Sequence, residues 1–401
     1  MMIFIKLAII NMKNISQPRV LHSAALLRPP PGIMNQMKWE QEAALTLKIP
    51  WKTLMYCPSN SLPPNNIIHF DETIITHKNN TLLKKINNWI SLRRNYHEWL
   101  KSQIDNYDIF LLRYYVHDTY QFGFLKTFPK PVFLIHHTLE VPELAMQNTI
   151  ESFIRSNLEH WIGKRTLDYT RGIIAVTDEI LEYEKSRSRK SFEYNLVYPN
   201  GVSYSLENHI IDDNRMKETP ELLFVASGFA AWHGLDLLIH EVKKTNENFI
   251  LHIVGDINPE INTLINKDKR IIKHGLMKQV DILELSTKCW LGLSSFALHR
   301  KNMKQACTLK VREYLMMGLP VYAGHQDVFP CSFPYFHHGK CNIDDILKHA
   351  RLMRNHTKHQ VSILSKPYID KNILLENLYH NLKFVFQEHN KISNIHLANN
   401  E

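Results

Sequence analysis

Twice along its length the chain alternates short apolar or β-branched runs with longer amphipathic ones. In the first stretch Val20–Ala25, Trp51–Tyr56, Ile109–Leu112, Val132–Ile135 and Gly172–Val176 have strand length. Between them Met34–Lys48, Asn79–Ser102 and Ala145–Tyr169 repeat apolar residues every three or four positions over helical length. Strands spaced by helices predict βα units and parallel sheets. At 198–203 the sequence YPNGVS interrupts the pattern with turn chemistry, and the polar stretch ENHIIDDNRMKETPE reads as a linker. The alternation then restarts, with strands expected at Leu222–Ala226, Phe249–Val254, Arg270–Lys273, Trp290–Ser294 and Pro320–Ala323. Helices are expected at Leu235–Lys244, Val280–Lys288 and Thr308–Met317, and a last one near Lys371–Glu388 that can pack across both halves. Two open sheets facing each other leave a cleft at the carboxyl ends of their strands, where such folds bind ligands.

Composition agrees with more than one folded unit: 401 residues with 44% hydrophobic content exceed a single ordinary core. The formal charge of +9 favours an anionic partner without choosing among nucleic acid, a membrane surface and phosphorylated substrates. Five scattered cysteines lack paired spacing, so a reducing compartment and a cytoplasmic location are expected. Cys331, His337, His338 and Cys341 cluster without the close pairing of zinc ligands, and no metal is expected. The N-terminal apolar run carries Lys6 and is shorter than the roughly 20 residues of a spanning helix. Met12 begins a credible start of its own, and residues 1–16 are expected to lie outside the core.

Four segments in order, LLFVASGFAAWHGLDLLI (222–239), LHIVGDI (251–257), HGLMKQVDILELSTKCWLGLSS (274–295) and TLKVREYLMMGLPVYAG (308–324), carry a family resemblance. They resemble the C-terminal domain of GT-B glycosyltransferases of the family 4-like, "group 1" type. GIIAVTDEI (172–180) and YPNGV (198–202) resemble the end of that family's N-terminal domain and its hinge. The resemblance implies an α/β fold of two facing Rossmann-like domains with a deep cleft and a C-terminal crossover helix. The expected division is 17–203 on the acceptor side, linker 204–220, nucleotide-sugar domain 221–366, and crossover helix and tail 367–401. It also implies retaining transfer of a hexose from a UDP- or GDP-linked donor to a saccharide or lipid-linked saccharide, with no cofactor or essential metal. Bacterial surface-polysaccharide synthesis, at the inner face of the cytoplasmic membrane, is the setting it implies.

Each motif then has chemistry to perform. Thr308 stands at the N-cap of a helix whose first turn, including Leu309, offers amides and a favourable dipole to a diphosphate. Lys310 adds charge there, with Arg300, Lys301, Lys304 and Arg312 as further candidates. Glu313, acceptor-only when ionised, suits the two hydroxyls of a ribose, the role its position has in the family. Gly228, His233 and Gly234 stand where relatives carry a phosphate loop with Arg and Lys, and Gly275 completes the donor-side set. An anion could raise the charge of His233. Gln305 replaces a second Glu near the donor sugar and cannot supply negative charge to an oxocarbenium-like transition state. Either that help is dispensable or activity is reduced. His136 and His137 follow a strand where the family often places an active-site His, and Gly32 and Asn35 are the acceptor-side loop candidates. Trp89, Tyr96 and Trp99, in a basic segment, are candidate exposed aromatics for an anionic leaflet. A non-catalytic nucleotide- or saccharide-binding partner and a nucleotide-sugar epimerase are the alternatives.

Overall fold

The computed structural model describes residues 17–58, 82–146, 149–203, 213–215, 218–265 and 268–398. The expected extension 1–16 and most of the 204–220 linker lie outside them. The strands are β1 (Val20–Ala25), β2 (Trp51–Tyr56), β3 (Ile109–Arg113), β4 (Val132–His136), β5 (Gly172–Ala175), β6 (Tyr194–Val197), β7 (Glu221–Gly228), β8 (Ile250–Asp256), β9 (Ile271–Gly275), β10 (Leu291–Leu293), β11 (Val321–Ala323) and β12 (Phe336–His338). They form two sheets, ordered β2-β1-β3-β4-β5-β6 and β12-β11-β10-β7-β8-β9. Every pairing is parallel. Helices cover both faces, so β1 is buried at all six positions and its sequence VLHSAA lacks a polar face. In the second sheet the order reverses between β7 and β10, which puts a ligand crevice beyond their carboxyl ends.

The last helix, Lys371–Ala398, returns to the first half. Its Leu375, Leu378, Tyr379, Leu382 and Val385 share a core with Val20, Trp51 and Ile109. The two chain crossings lie side by side: Val202 N donates to Ile369 O at 2.8 Å, and Lys371 N to Val202 O at 2.9 Å.

Three expectations need correction. The helix expected over Ala145–Tyr169 is two helices, Glu140–Ala145 and Ile150–Leu167. Thr149 starts the second through a reciprocal cap with Ser152, whose amide donates to Thr149 Oγ1 at 3.1 Å. The edge strands β6 and β12 carry no run of buried β-branched residues and were not anticipated. Tyr96 is fully buried, stacked on Trp99 with centroids 6.0 Å apart, so this aromatic group packs inward.

Candidate functional site

The helix Leu309–Met316 follows β10 and starts at the crevice. Val225 N, in β7, donates to Tyr314 Oη at 2.7 Å and fixes the helix against the sheet. Thr308 occupies the N-cap position, but its hydroxyl makes no cap hydrogen bond and is buried without a partner. Protein side chains therefore leave the first-turn amides for a ligand. Lys310 Nζ is also sealed from solvent without a hydrogen-bond partner, 5.4 Å from the Phe224 ring centroid. Burial pulls its pKa down to about 7, against the opposing pull of Glu313. Burial pushes Glu313 up to about 7, and Lys310 only partly offsets this. The two groups are one helical turn apart and neither is satisfied by the protein, as expected of a site that a ligand completes.

Arg312 faces the other way. It is fully buried, with Nη2 2.6 Å from Asp327 Oδ1 and Nε donating to Asn200 O at 3.2 Å. Its role is to join the hinge to the second half, a correction to its candidacy for the diphosphate. Arg300 is similarly committed, to Asp236 at 2.7 Å.

His233 stands close enough for Lys310 to act on it, yet it is not a cation here. Burial first, and Lys310 next, lower its pKa to about 3. The Ala230 amide donates to its Nδ1 at 3.0 Å, which places the proton of the neutral ring on Nε2. The expected charge is thus replaced by a single N–H donor. Gly234 has φ +69°, and a Cβ there would lie 3.0 Å from Ala297 N, so a side chain at this turn would be strained and crowded. Gly228 and Gly275 are exposed at the ends of β7 and β9, with open space where a side chain would be.

Across from this helix lies a cavity of about 330 Å³ lined by His22, Gly32, Gln36, Arg113, His137, Asn200 and Leu309, among others. It brings together Gly32 and His137 of the first half and Leu309 of the second. Burial, with the charge of Arg113 next, holds His137 well below the ordinary histidine range. Consecutive strand-end residues point to opposite faces, and His136 points inward. It is fully buried, stacked 4.4 Å from Tyr114, with Nδ1 3.1 Å from Glu140 Oε1. Its proposed catalytic contact with a substrate is corrected: it has no path to one. His136, Glu140 and Glu184 could gather a metal by spacing, but Arg187 already holds Glu184 at 2.9 Å. Asn35 is exposed on the outer side of its helix. Its neighbour Gln36 is the engaged residue, accepting from Lys371 Nζ at 2.9 Å and from Gly201 N at 3.2 Å.

Gln305 is not poised toward a sugar in this conformation. Its side-chain oxygen accepts from Glu179 N at 2.9 Å, and Glu179 Oε2 accepts from the amides of Gln305 and Lys304 at 2.7 and 2.9 Å. This reciprocal clasp joins the two halves. Lys301 adds a second cross-contact, 2.8 Å from Glu143 Oε1. Sequence reading missed Arg113 and His22. Arg113 had an available signal, a cation ending the apolar strand IFLLR at the carboxyl edge of a parallel sheet.

No protein-family profile and no curated protein matches the chain. Solved structures do. Lipopolysaccharide outer core galactosyltransferase WaaB superposes with TM-score 0.59 at 12% identity, covering 92% of this chain and 99% of that one. Sucrose-phosphate synthase from Thermosynechococcus elongatus gives TM-score 0.61 at 14%, covering 92% and 100%. Anabaena HepE, solved with UDP and glucose, gives 0.57 at 14%, covering 91% and 99%. A UDP-N-acetylglucosamine 2-epimerase from Listeria monocytogenes, at 0.51 and 12%, shares the architecture over 92% and 97%. The chain has the GT-B fold.

Proposed function

We propose that the protein is a glycosyltransferase that takes a hexose from a nucleotide-sugar, a UDP-sugar first among the donors, and transfers it with retention to a saccharide or lipid-linked saccharide. The observation that carries this is the incomplete set at the β7/β10 crevice: an unpartnered Lys310, a half-buried Glu313 and an uncapped helix start. A diphosphate would take the first-turn amides, Lys310 and the Nε2–H of His233, while Glu313 would accept from the ribose diol. The C1–O bond to the leaving phosphate breaks as the acceptor oxygen bonds C1 on the same face. The acceptor proton passes to the departing phosphate oxygen. His137 and Gly32, on the opposite wall, would position the acceptor. Solved neighbours that hold UDP and UDP-glucose support the donor class.

The test is thermal melting with UDP, GDP and their sugars, since a ligand that binds only the folded state raises apparent stability. UDP should raise the melting temperature of the wild type, and Glu313→Ala should need about 10- to 100-fold more UDP for the same rise. Indifference to every nucleotide tested would remove the reading. A second reading, a nucleotide-binding partner without catalysis, is favoured by the engagement of Gln305 with Glu179. UDP binding without release of UDP from any UDP-sugar would select it; isomerised sugar without acceptor would select the epimerase.

A further inference from the structure

Two groups, His22 and Arg113, give the cavity of about 330 Å³ its polarity. His22 and Ala24 stand two residues apart on β1, so both turn the same face of that strand into it. Behind His22 is Glu40, buried on the helix Pro31–Leu47. Glu40 Oε1 lies 2.6 Å from His22 Nδ1 and accepts from Trp51 Nε1 at 2.9 Å, while Oε2 accepts from Tyr198 Oη at 3.0 Å. Burial acts to raise Glu40, but His22, Lys371 and Tyr198 outweigh it and hold the group below the ordinary carboxyl range. An ionised carboxylate only accepts, so His22 Nδ1 carries a proton toward it. In the neutral ring Nε2 then bears the lone pair, and it makes no hydrogen bond among the described residues.

Arg113 ends β3, and its guanidinium makes no hydrogen bond or ion pair among the described residues. The nearby acids do not neutralise it: burial pushes Glu140 up to about 7, and Glu143 is bound to Lys301 at 2.8 Å. His137, in the same lining, is kept uncharged by burial and by Arg113 itself. Gln36 and Asn200 are committed to Gly201, Lys371 and Cys307. What the lining offers a ligand is therefore one positive charge and one aimed lone pair, beside the apolar Ile33, Met37 and Leu309. A guanidinium pairs with a planar monoanion through two parallel hydrogen bonds. A phosphate monoester, about −2 in charge at neutral pH, would leave a surplus negative charge out of water.

We propose that this cavity selects a saccharide bearing a carboxylate, a uronic acid unit in the simplest case: Arg113 takes the carboxylate, and His22 Nε2 accepts from a ring hydroxyl. Calling that saccharide the acceptor rests on the glycosyltransferase reading; the selection for a carboxylate does not. Glu40 acts through His22 and is a positioning residue, fixing the ring so that its acceptor faces the cavity.

Saturation-transfer NMR on the full chain tests this, with methyl glucuronide against methyl glucoside and methyl galacturonide against methyl galactoside. At least one uronide should bind about tenfold more tightly than its neutral parent. Arg113→Gln should erase that ratio, and Arg113→Lys should restore part of it. His22→Asn, which still donates to Glu40 but is too short to reach the cavity, should weaken the uronide and its neutral parent alike and leave the ratio in place. No uronide binding, equal binding of uronides and neutral parents, or a ratio that survives Arg113→Gln overturns the carboxylate assignment. So does tighter binding of glucose 6-phosphate than of either uronide. A His22→Asn protein that binds both sugars as the wild type does removes His22 from the site. If Arg113→Gln still melts cooperatively but no longer responds to UDP, the cation serves the donor and the proposal falls. UDP-dependent melting of the wild type, measured on the same samples, keeps the two readings apart: its absence would count against the function and leave the uronide result to stand alone.

Discussion

Lys310 and Lys358, both in the second half, share a pKa lowered to about 7 by burial and differ in what holds them. Lys358 is satisfied: its Nζ donates to Ser286 O at 2.8 Å and to Cys289 O at 3.0 Å, tying the helix Lys358–Ile369 to the turn before β10. Lys310 has no such carbonyl and sits at the crevice. A depressed pKa alone therefore does not mark a binding site. The informative sign is a buried charge that the fold has not satisfied, in the first turn of a helix whose start is left uncapped at the carboxyl edge of a sheet.

Breaking each lysine should separate the two roles. Lys358→Met strands two buried carbonyls, and we expect it to cost about 2–4 kcal/mol in denaturant unfolding while leaving UDP affinity unchanged. Glu313→Ala should cost little stability and weaken UDP by about 10- to 100-fold, roughly 1.4–2.8 kcal/mol, in calorimetric titration. Lys310→Met should reverse the sign seen at Lys358, raising stability by about 1 kcal/mol near pH 7 while weakening UDP. Its pH behaviour follows from linkage. A lysine whose folded pKa is below its unfolded value costs stability below about pH 7, and that cost fades as pH rises toward the ordinary lysine range. UDP affinity should fall as pH rises through 7, because Lys310 loses its charge, and Lys310→Met should flatten that fall. The smallest effect is expected at Glu140→Gln. Burial raises Glu140 to about 7 and Glu184, beside it, to about 8. Their raised values make stability decline as pH climbs from the ordinary carboxyl range through 7 and 8. Removing one acid should shallow that decline in unfolding curves taken at pH 5 and 8.5.

The buried strands were legible because a parallel sheet covered on both faces leaves continuous apolar runs, as in IFLL and VFLI. Edge strands were not: YNLV is only partly buried, and FHH offers histidines where β-branched residues would have signalled a strand. Within the site, the helix and Glu313 could be located from the surrounding motif, but side-chain direction could not. Lys310 and Arg312 are two residues apart, so they point to different sides of one helix; which side meets the crevice depends on how Tyr314 packs. His136 and His137 pose the same problem on a strand. Gln305 was placed near the sugar by motif alone, and its partner Glu179 is 126 residues away in sequence, a separation that no local pattern records.

The paired crossings at Val202 and Ile369–Lys371 have a mechanical consequence. Two separate connections between bodies would permit each to flex independently. Two connections laced together by hydrogen bonds act as a single knuckle, and because Gln36 and Asn200 join that knuckle to the wall of the 330 Å³ cavity, a change of angle there would be felt directly by whatever the cavity holds.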